Sequence, residues 1–503
     1  MGTSQQRLPA LDDLRMYLIM ADRFDDADPS NNNSNGRSDN RNPLAVQGGD
    51  IKGIERRLPY LQSLGINAIW ITPVQMNTPG AFHGYWIQHF KRVDPRLGTR
   101  KDLRSLVRQA HKRGMRVYLD VVCNHTGPLI GTVEGGHAWS DSGYTLAWKD
   151  GTKLPTPSAL QDLSLYHNFG EVKEWTDPYQ ILGELPGGLD DLRTEDPRVL
   201  AIMIDIWTWW MEQSGCDGFR VDTVKHVDMA FWYAWLAAMR RHAEEIGMKD
   251  FFIFGEVFSG DDKICAPFTR TDQRGRRGFD AVFNFSIAEA VRDVFARGAS
   301  IRRITASIEN LPLYQTETRG RLLTFIDNHD MSRFLAVAEG DQGKLREALT
   351  FLYGLEGIPL VYYGTEQAFR GGTGPDWENR ESMFVHGWKG TAPDGTAFDT
   401  STSMYKHLSR LNAERARQPI LRMGSCDVAF ADTARQFLVL RRSLGALRAW
   451  VLYNGSDRDQ VWSVHGSPIG RLWPADAGEI IATRRVRLHP HRTAWLLPER
   501  MQP

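Results

Sequence analysis

Through the first four-fifths of the chain, short apolar runs alternate with longer amphipathic stretches. The runs cover residues 17–20, 68–71, 117–122, 218–221, 251–254, 281–285, 322–326 and 359–362. Each is bounded by Gly, Pro or charge and rich in β-formers, as strands buried on both faces of a parallel sheet are. Residues 101–113, 198–213, 229–245 and 344–353 carry the helical period instead. Thr99 followed by Asp102 supplies a helix N-cap and an acidic first turn. Eight strands alternating with helices predict an α/β chain folded as a (β/α)8 TIM barrel, with a doubly wound sheet as the alternative.

Two stretches break the alternation. Residues 124–198 are rich in Gly, Pro and Trp, lack a helical period and are too long for a simple βα loop, which predicts a small inserted domain after strand 3. After residue 416 the pattern becomes alternating strands at 437–442, 449–453, 461–464 and 493–497, predicting a C-terminal all-β domain. The expected division is therefore 1–123 and 199–416 for the barrel, 124–198 for the insertion and 417–503 for a β-sandwich. Residues 25–42, rich in Asn, Ser and Asp, read as a loop.

Composition narrows the partners. Lys+Arg and Asp+Glu both number 61 in 503 residues, so no basic surplus supports binding to nucleic acid or an anionic membrane. No apolar run approaches the ~20 residues that span a bilayer, and the polar start, residues 1–14, lacks the apolar core of a secretory signal. Cys123, Cys216, Cys265 and Cys426 are scattered without metal-ligand spacing and are expected to be reduced, which favours a cytoplasmic setting. A secreted form with its signal removed is the alternative. The oligomeric state is not readable from the chain.

In a barrel, reacting groups belong at the C-terminal strand ends. The third run ends in Asp120, Asn124 and His125, and the fourth holds Arg220, Asp222, Lys225 and His226. The fifth leads to Glu256 and the seventh to His329 and Asp330. Three carboxyl groups, Asp222, Glu256 and Asp330, are thus expected on one face. Cleavage of a glycoside with retention needs two such groups, one ionised and one protonated. Arg220, two residues before Asp222, would hold it ionised, while burial after an apolar strand would favour protonated Glu256. Asp330 could bond sugar hydroxyls and stabilise a cationic transition state.

These four segments closely resemble the signature regions of the α-amylase family of glycoside hydrolases. Residues 65–73, the loop His83-Gly-Tyr85-Trp86 and residues 357–366 resemble that family's second strand, substrate platform and eighth strand. The resemblance implies Asp222 as nucleophile, Glu256 as general acid/base and Asp330 as transition-state stabiliser. It implies Tyr85 stacking on the sugar, with His125, Arg220 and His329 bonding to it or to the nucleophile. Lys225 and His226 are similar to a pair contacting the leaving-side glucose in enzymes of α-1,4 linkages. The loop 371–380 resembles a sugar clamp made by Asp376 and Arg380, with a Gly-rich surface turn as the alternative. The implied activity is hydrolysis of α-1,4-glucans or malto-oligosaccharides through a covalent glycosyl intermediate. A transglycosylase using the same site, or a non-catalytic accessory relative, are the alternatives.

Calcium is the expected cofactor, at two candidate sites. Asp26, Asp28, Asn31, Asn32 and Asp50, with the Gly48 carbonyl, resemble the N-terminal calcium loop of cyclodextrin glucanotransferases, against a plain polar loop. Asn124, Asp191 and the His226 carbonyl would form the second, although the segment 187–192 departs from the family's usual sequence there. Trp207, Trp209 and Trp210 fall on the helix before the fourth strand and are read as packing residues rather than a sugar platform.

Overall fold

A computed structural model describes residues 7–384, 388, 398–464 and 470–498. Eight parallel strands make one sheet: β1 (Met16–Ile19), β2 (Ala68–Ile71), β3 (Arg116–Val121), β4 (Gly218–Val221), β5 (Phe252–Gly255), β6 (Ala281–Val282), β7 (Leu323–Thr324) and β8 (Ile358–Tyr362). Their order is β6-β5-β4-β3-β2-β1-β8-β7, and a parallel bridge from Phe283 to Leu323 joins the two ends. The doubly wound alternative is thereby replaced by a closed barrel. Every residue of these strands is buried, one side inside the barrel and the other under the helices. That is why the sequence reads as apolar runs without alternation.

The runs at 281–285 and 322–326 are shorter as strands than expected, for local reasons. Asn284 caps the helix Phe285–Val291 by accepting from the Ile287 N–H at 3.0 Å, which takes Phe285 out of the sheet. The Ile326 carbonyl accepts from Arg292 Nη1 at 2.9 Å instead of from a strand. The expected helices occur as Arg100–Lys112, Pro197–Ser214, Met229–Glu245 and Gln342–Gly354. Thr99 and Asp102 bond each other's backbone N–H in a reciprocal cap. Trp207 and Trp210 are wholly buried, and Trp210 Nε1 donates to the Phe90 carbonyl at 2.7 Å, so the tryptophan cluster is packing.

Between β3 and the helix Pro197–Ser214 the chain forms a two-stranded ribbon, Ile130–Thr132 with Leu146–Trp148, and a series of short turns. After the helix Ser403–Arg417, a five-stranded and a three-stranded antiparallel sheet follow. Alternation in the five-stranded sheet explains its two contacts. Phe437, Val439, Trp450 and Leu452 pack with Val486 and Leu488 of the smaller sheet. Leu438, Leu440, Val451 and Trp495, on the opposite face, join the barrel core. All four cysteines are free and buried. No helix among the described residues is long and apolar enough to cross a membrane.

Candidate active site

Strand register assembles the reacting groups. Arg220 and Asp222 share one face of β4 and its extension. Parallel pairing sets Asp120 of β3 opposite Arg220. The ladder continues past the strand ends: Asp222 N–H donates to the Val121 carbonyl at 2.9 Å and Glu256 N–H to the Val221 carbonyl at 2.8 Å. Arg220, fully buried, is the hub. Its Nη1 bonds Asp222 Oδ1 at 2.8 Å and Asp120 Oδ1 at 2.9 Å, and its Nη2 stands 2.8 Å from Glu256 Oε1 as an ion pair. Asp120 Oδ2 also accepts from the Tyr85 hydroxyl at 2.9 Å and Trp70 Nε1 at 3.0 Å. The guanidinium lies 4.8 Å from the Trp70 ring.

Arg220 thus meets Asp222, as its position two residues before it suggested, and two further carboxyl groups besides. One cation is shared among three carboxyl groups. Burial pushes Asp222 well above the usual carboxylate range; Arg220 opposes this, while Glu256, Asp120 and Asp330 add to it. Burial also raises Asp120 against the pull of Arg220. Asp330 differs: burial would raise it, but His329 at 2.9 Å and Arg380 at 3.1 Å hold it well below the usual range. The cluster thus separates Asp330, whose carboxyl is held low, from Asp120 and Asp222, which are pushed up.

Above the hub lies a cleft of about 650 Å³. Ten of the predicted catalytic and substrate-binding residues line it: Tyr85, His125, Asp222, Lys225, His226, Glu256, His329, Asp330, Asp376 and Arg380. Arg220 sits beneath. The Tyr85 ring lies parallel to His329, centroids 5.4 Å apart at 3°, which sets a flat floor beside Asp222. Burial lowers His125 and His226 to about 4, so both imidazoles are neutral near pH 7. His125 Nδ1 is 3.0 Å from Asn124 Oδ1, leaving its buried Nε2 without a protein partner. Lys225 Nζ donates to the Phe258 carbonyl at 2.8 Å and His226 Nδ1 to the Ile181 carbonyl at 2.7 Å. Arg380 reaches the His329 carbonyl at 3.0 Å and Asp376 at 3.4 Å, bringing the glycine-rich loop to the cleft.

Sequence reasoning gave no role to Asp120, Trp175 or Phe258, which contact the hub or line the cleft. Aligning the ends of β3 and β4 in parallel register would have found Asp120. Trp175, 49% exposed, comes from the inserted segment, whose path no periodicity encodes.

The two cation candidates differ. In the N-terminal loop, Asp26 Oδ1, Asn31 Oδ1 and Asn32 Oδ1 are buried oxygens without a hydrogen-bond donor, the donor chemistry a hard cation takes. Gly48, at φ 108°, packs so closely that a methyl group there would meet the Asn32 amide at 2.3 Å. The Asp28 and Asp50 carboxylates are otherwise engaged, with Lys52 at 2.7 Å and as the cap on Gly53 N–H at 2.6 Å. At the second candidate, Asn124 Nδ2 donates to Asp191 Oδ1 at 2.7 Å and to the His226 carbonyl at 3.2 Å, and His167 Nδ1 meets Asp191 Oδ2. Each of those oxygens thus already accepts from a protein donor, unlike the unpartnered oxygens of the N-terminal loop. Among the described residues no group of three or more His, Cys, Asp or Glu side chains is placed to hold a metal.

Fold and site together define a class: closed (β/α)8 barrels whose C-terminal strand ends carry a cluster of acidic residues around a buried arginine. Within that class, the model of the α-amylase catalytic domain matches residues 18–443, and the chain belongs to the α-amylase family. It is 35% identical to an α-amylase of Streptomyces lividans over 444 residues, 75% of this chain and 47% of that protein. It is 30% identical to a cyclomaltodextrin glucanotransferase of a Bacillus species, over 82% of this chain and 55% of that one. The chain spans about half the length of these curated relatives. Among solved structures, an Anoxybacillus α-amylase is 28% identical with a TM-score of 0.78, the match covering 98% of this chain and all of that one. A Geobacillus thermoleovorans α-amylase complexed with acarbose is 29% identical with a TM-score of 0.76, covering 99% of this chain and all of that one.

Proposed function

We propose that this protein hydrolyses α-1,4-glucosidic bonds in starch, maltodextrins or malto-oligosaccharides, with retention, through a glycosyl-Asp222 intermediate. The observation that carries the reading is that Asp222 and Glu256 grip the two Nη atoms of one guanidinium. Two carboxyl groups bridged by one guanidinium are near neighbours, and a retaining mechanism needs its nucleophile and its acid/base close together. Glu256 acts as the general acid and donates a proton to the glycosidic oxygen as that bond breaks. Asp222 attacks the anomeric carbon and forms the ester. Glu256 then takes a proton from a water molecule, whose oxygen displaces Asp222 and restores the carboxylate. Asp330, always ionised, faces the positive charge that develops on the ring. Tyr85 supplies a stacking face, His125 Nε2 accepts from a sugar hydroxyl, His329 holds Asp330 in place, and Lys225 with His226 meets the leaving side. Asp376 and Arg380 fix the sugar beyond, as acceptor and donor.

Transglycosylation is the second reading. It is favoured by Trp175, Leu185, Leu189 and Phe258, apolar side chains in the same cleft as Lys225 that would seat a sugar acceptor in place of water. Chromatography of products from maltoheptaose, starch and cyclodextrins separates the two readings: shorter saccharides alone indicate hydrolysis, longer or cyclic ones transfer. Asp222→Asn and Glu256→Gln are each expected to lower release of reducing ends by about 10²–10⁴-fold or more, with an unchanged fold by circular dichroism. Full activity in either variant overturns the mechanism.

Calcium is placed at the N-terminal loop, on Asp26, Asn31 and Asn32 with the Gly48 carbonyl. There it would tie the loop to the start of the helix Ile51–Leu64, a structural role. A chelator should lower the melting temperature of the protein, because a metal bound only by the folded state stabilises it. Asp26→Ala should remove most of that shift, and an equal shift in the variant places the metal elsewhere.

A further inference from the structure

Residues 181–185 form a wall with two sides. One side closes the active cleft, where Leu185 lines it and the Ile181 carbonyl holds His226. The other side belongs to a second cavity of about 280 Å³, to which Leu182 and Gly183 contribute with Trp139, Phe169 and Tyr179. Three rings make its apolar surface. Trp139 stacks on Phe169 at 5.5 Å and 24°, and Tyr179 stands edge-on to both, at 5.9 and 5.7 Å. Tyr179 nevertheless remains 59% exposed. The indole lies so close to the wall that a methyl group on Gly183 would sit 2.7 Å from its Cζ3, so a glycine is what lets the ring lie against the backbone. Around the rings stand Arg193, Glu195 and Asp228, with Glu195 held by His167 Nε2 at 3.0 Å. Flat aromatic faces with a rim of planar donors and acceptors suit a pyranose, whose C–H face stacks while its equatorial hydroxyls bond outward.

We propose that this cavity is a second glucosyl-binding site, which holds a distal unit of the α-glucan being cleaved in the adjoining cleft. The proposal rests on the α-glucan reading of the cleft. The shared wall supplies the occupant: a chain or branch leaving past Lys225 and His226 has only residues 181–185 to cross before it meets Tyr179. The site adds affinity for long or branched polymers and nothing for short ones.

The test compares amylopectin with maltotetraose in wild type, Tyr179→Ala and the double variant Trp139→Ala/Tyr179→Ala, with melting curves confirming the fold. KM for amylopectin should rise about 3–10-fold in Tyr179→Ala, the scale of one lost aromatic contact, with kcat and KM for maltotetraose unchanged. Native gels cast with amylopectin should retard wild type and Glu256→Gln alike, and Tyr179→Ala less. Unchanged amylopectin KM and gel retardation in both variants overturn the second site. A loss on both substrates equally also overturns it, because the rings then only support the cleft wall. If wild type cleaves neither substrate, the catalytic reading fails on its own, and the gels with Tyr179→Ala still decide the sugar site.

Discussion

Two of the places where this molecule buries arginines compensate the charge in opposite ways. At the barrel mouth Arg220 is surrounded by the carboxyl groups of Asp120, Asp222 and Glu256. At the junction with the C-terminal sheets, Arg442 donates to the carbonyls of Gly354, Leu421 and Gly424, and Arg415 to those of Tyr353, Leu355 and Gly357. No carboxylate among the described residues forms an ion pair with either. Burial pushes Arg415 down to about 9, with Arg442 adding to the effect. Carbonyl dipoles offer one arrangement and no proton to move, so the junction is a fixed lock joining the turn before β8 to the following domain. Carboxylates offer several protonation states of nearly equal energy, which is what acid–base chemistry requires. The same residue type therefore serves rigidity in one place and proton management in the other.

The largest effect that separates these roles is expected from Arg220→Met. Breaking a buried ion cluster leaves uncompensated charge and costs about 3–5 kcal/mol, and the positioning of both reacting carboxyls goes with it. Activity on maltodextrin should fall by at least about 10³-fold, together with the melting temperature. Arg220→Lys should restore stability better than activity, because an ammonium cannot hold two carboxyls at fixed angles. Near-normal kcat/KM in Arg220→Lys would end the view of Arg220 as a geometric hub.

Arg442→Met should do the reverse. Its carbonyl partners are left buried without donors at about 1–3 kcal/mol each, less where the interface relaxes, so the melting temperature drops. The kcat/KM of the folded protein should stay within about twofold, since the junction lies at the far side of the wall of helices from Asp222. A specific loss of activity at full stability would mean that the lock reaches the cleft, and the contrast drawn between the two arginines would fall.

Much of this was legible in the chain. Runs at 68–71 and 218–221 coincide with β2 and β4, and the three acidic residues at strand ends meet in one cleft, because a strand's burial and its end are both written locally. What was not legible depends on pairing between distant segments. Asp120 becomes a partner of Arg220 only through the register of β3 on β4. The C-terminal strands Arg471–Trp473 and Gly478–Ala482 are short and partly exposed, with no apolar–polar alternation to announce them. The Trp139–Phe169–Tyr179 cluster spans 41 positions of irregular chain (139 to 179 inclusive), stitched by single bridges such as Glu171 with Glu184. Nothing in its spacing predicts that the rings meet. The contact of Glu256 with Arg220 likewise depends on the pairing of β4 with β5.

The smallest effect is the most specific to proton sharing. Asp222 reacts as a carboxylate, yet burial and three acidic neighbours raise it. A carboxyl raised in the folded protein binds its proton more tightly folded than unfolded. Its contribution to stability is therefore present below the ordinary carboxylate range and lost as pH rises through the raised value. For catalysis the sign is the same: kcat/KM should fall as pH drops through that raised value, placing the acid limb above the ordinary ~4 of a free carboxyl. Asp330→Asn removes one of the negative neighbours, so Asp222 should ionise more readily and the acid limb of the residual activity should move to lower pH, by about half a unit to one unit. Asp376→Asn, further from Asp222, should lower activity without moving the limb. If Asp330→Asn leaves the limb in place, Asp222 is not coupled to its neighbours, and Arg220 compensates a single charge much as Arg442 does.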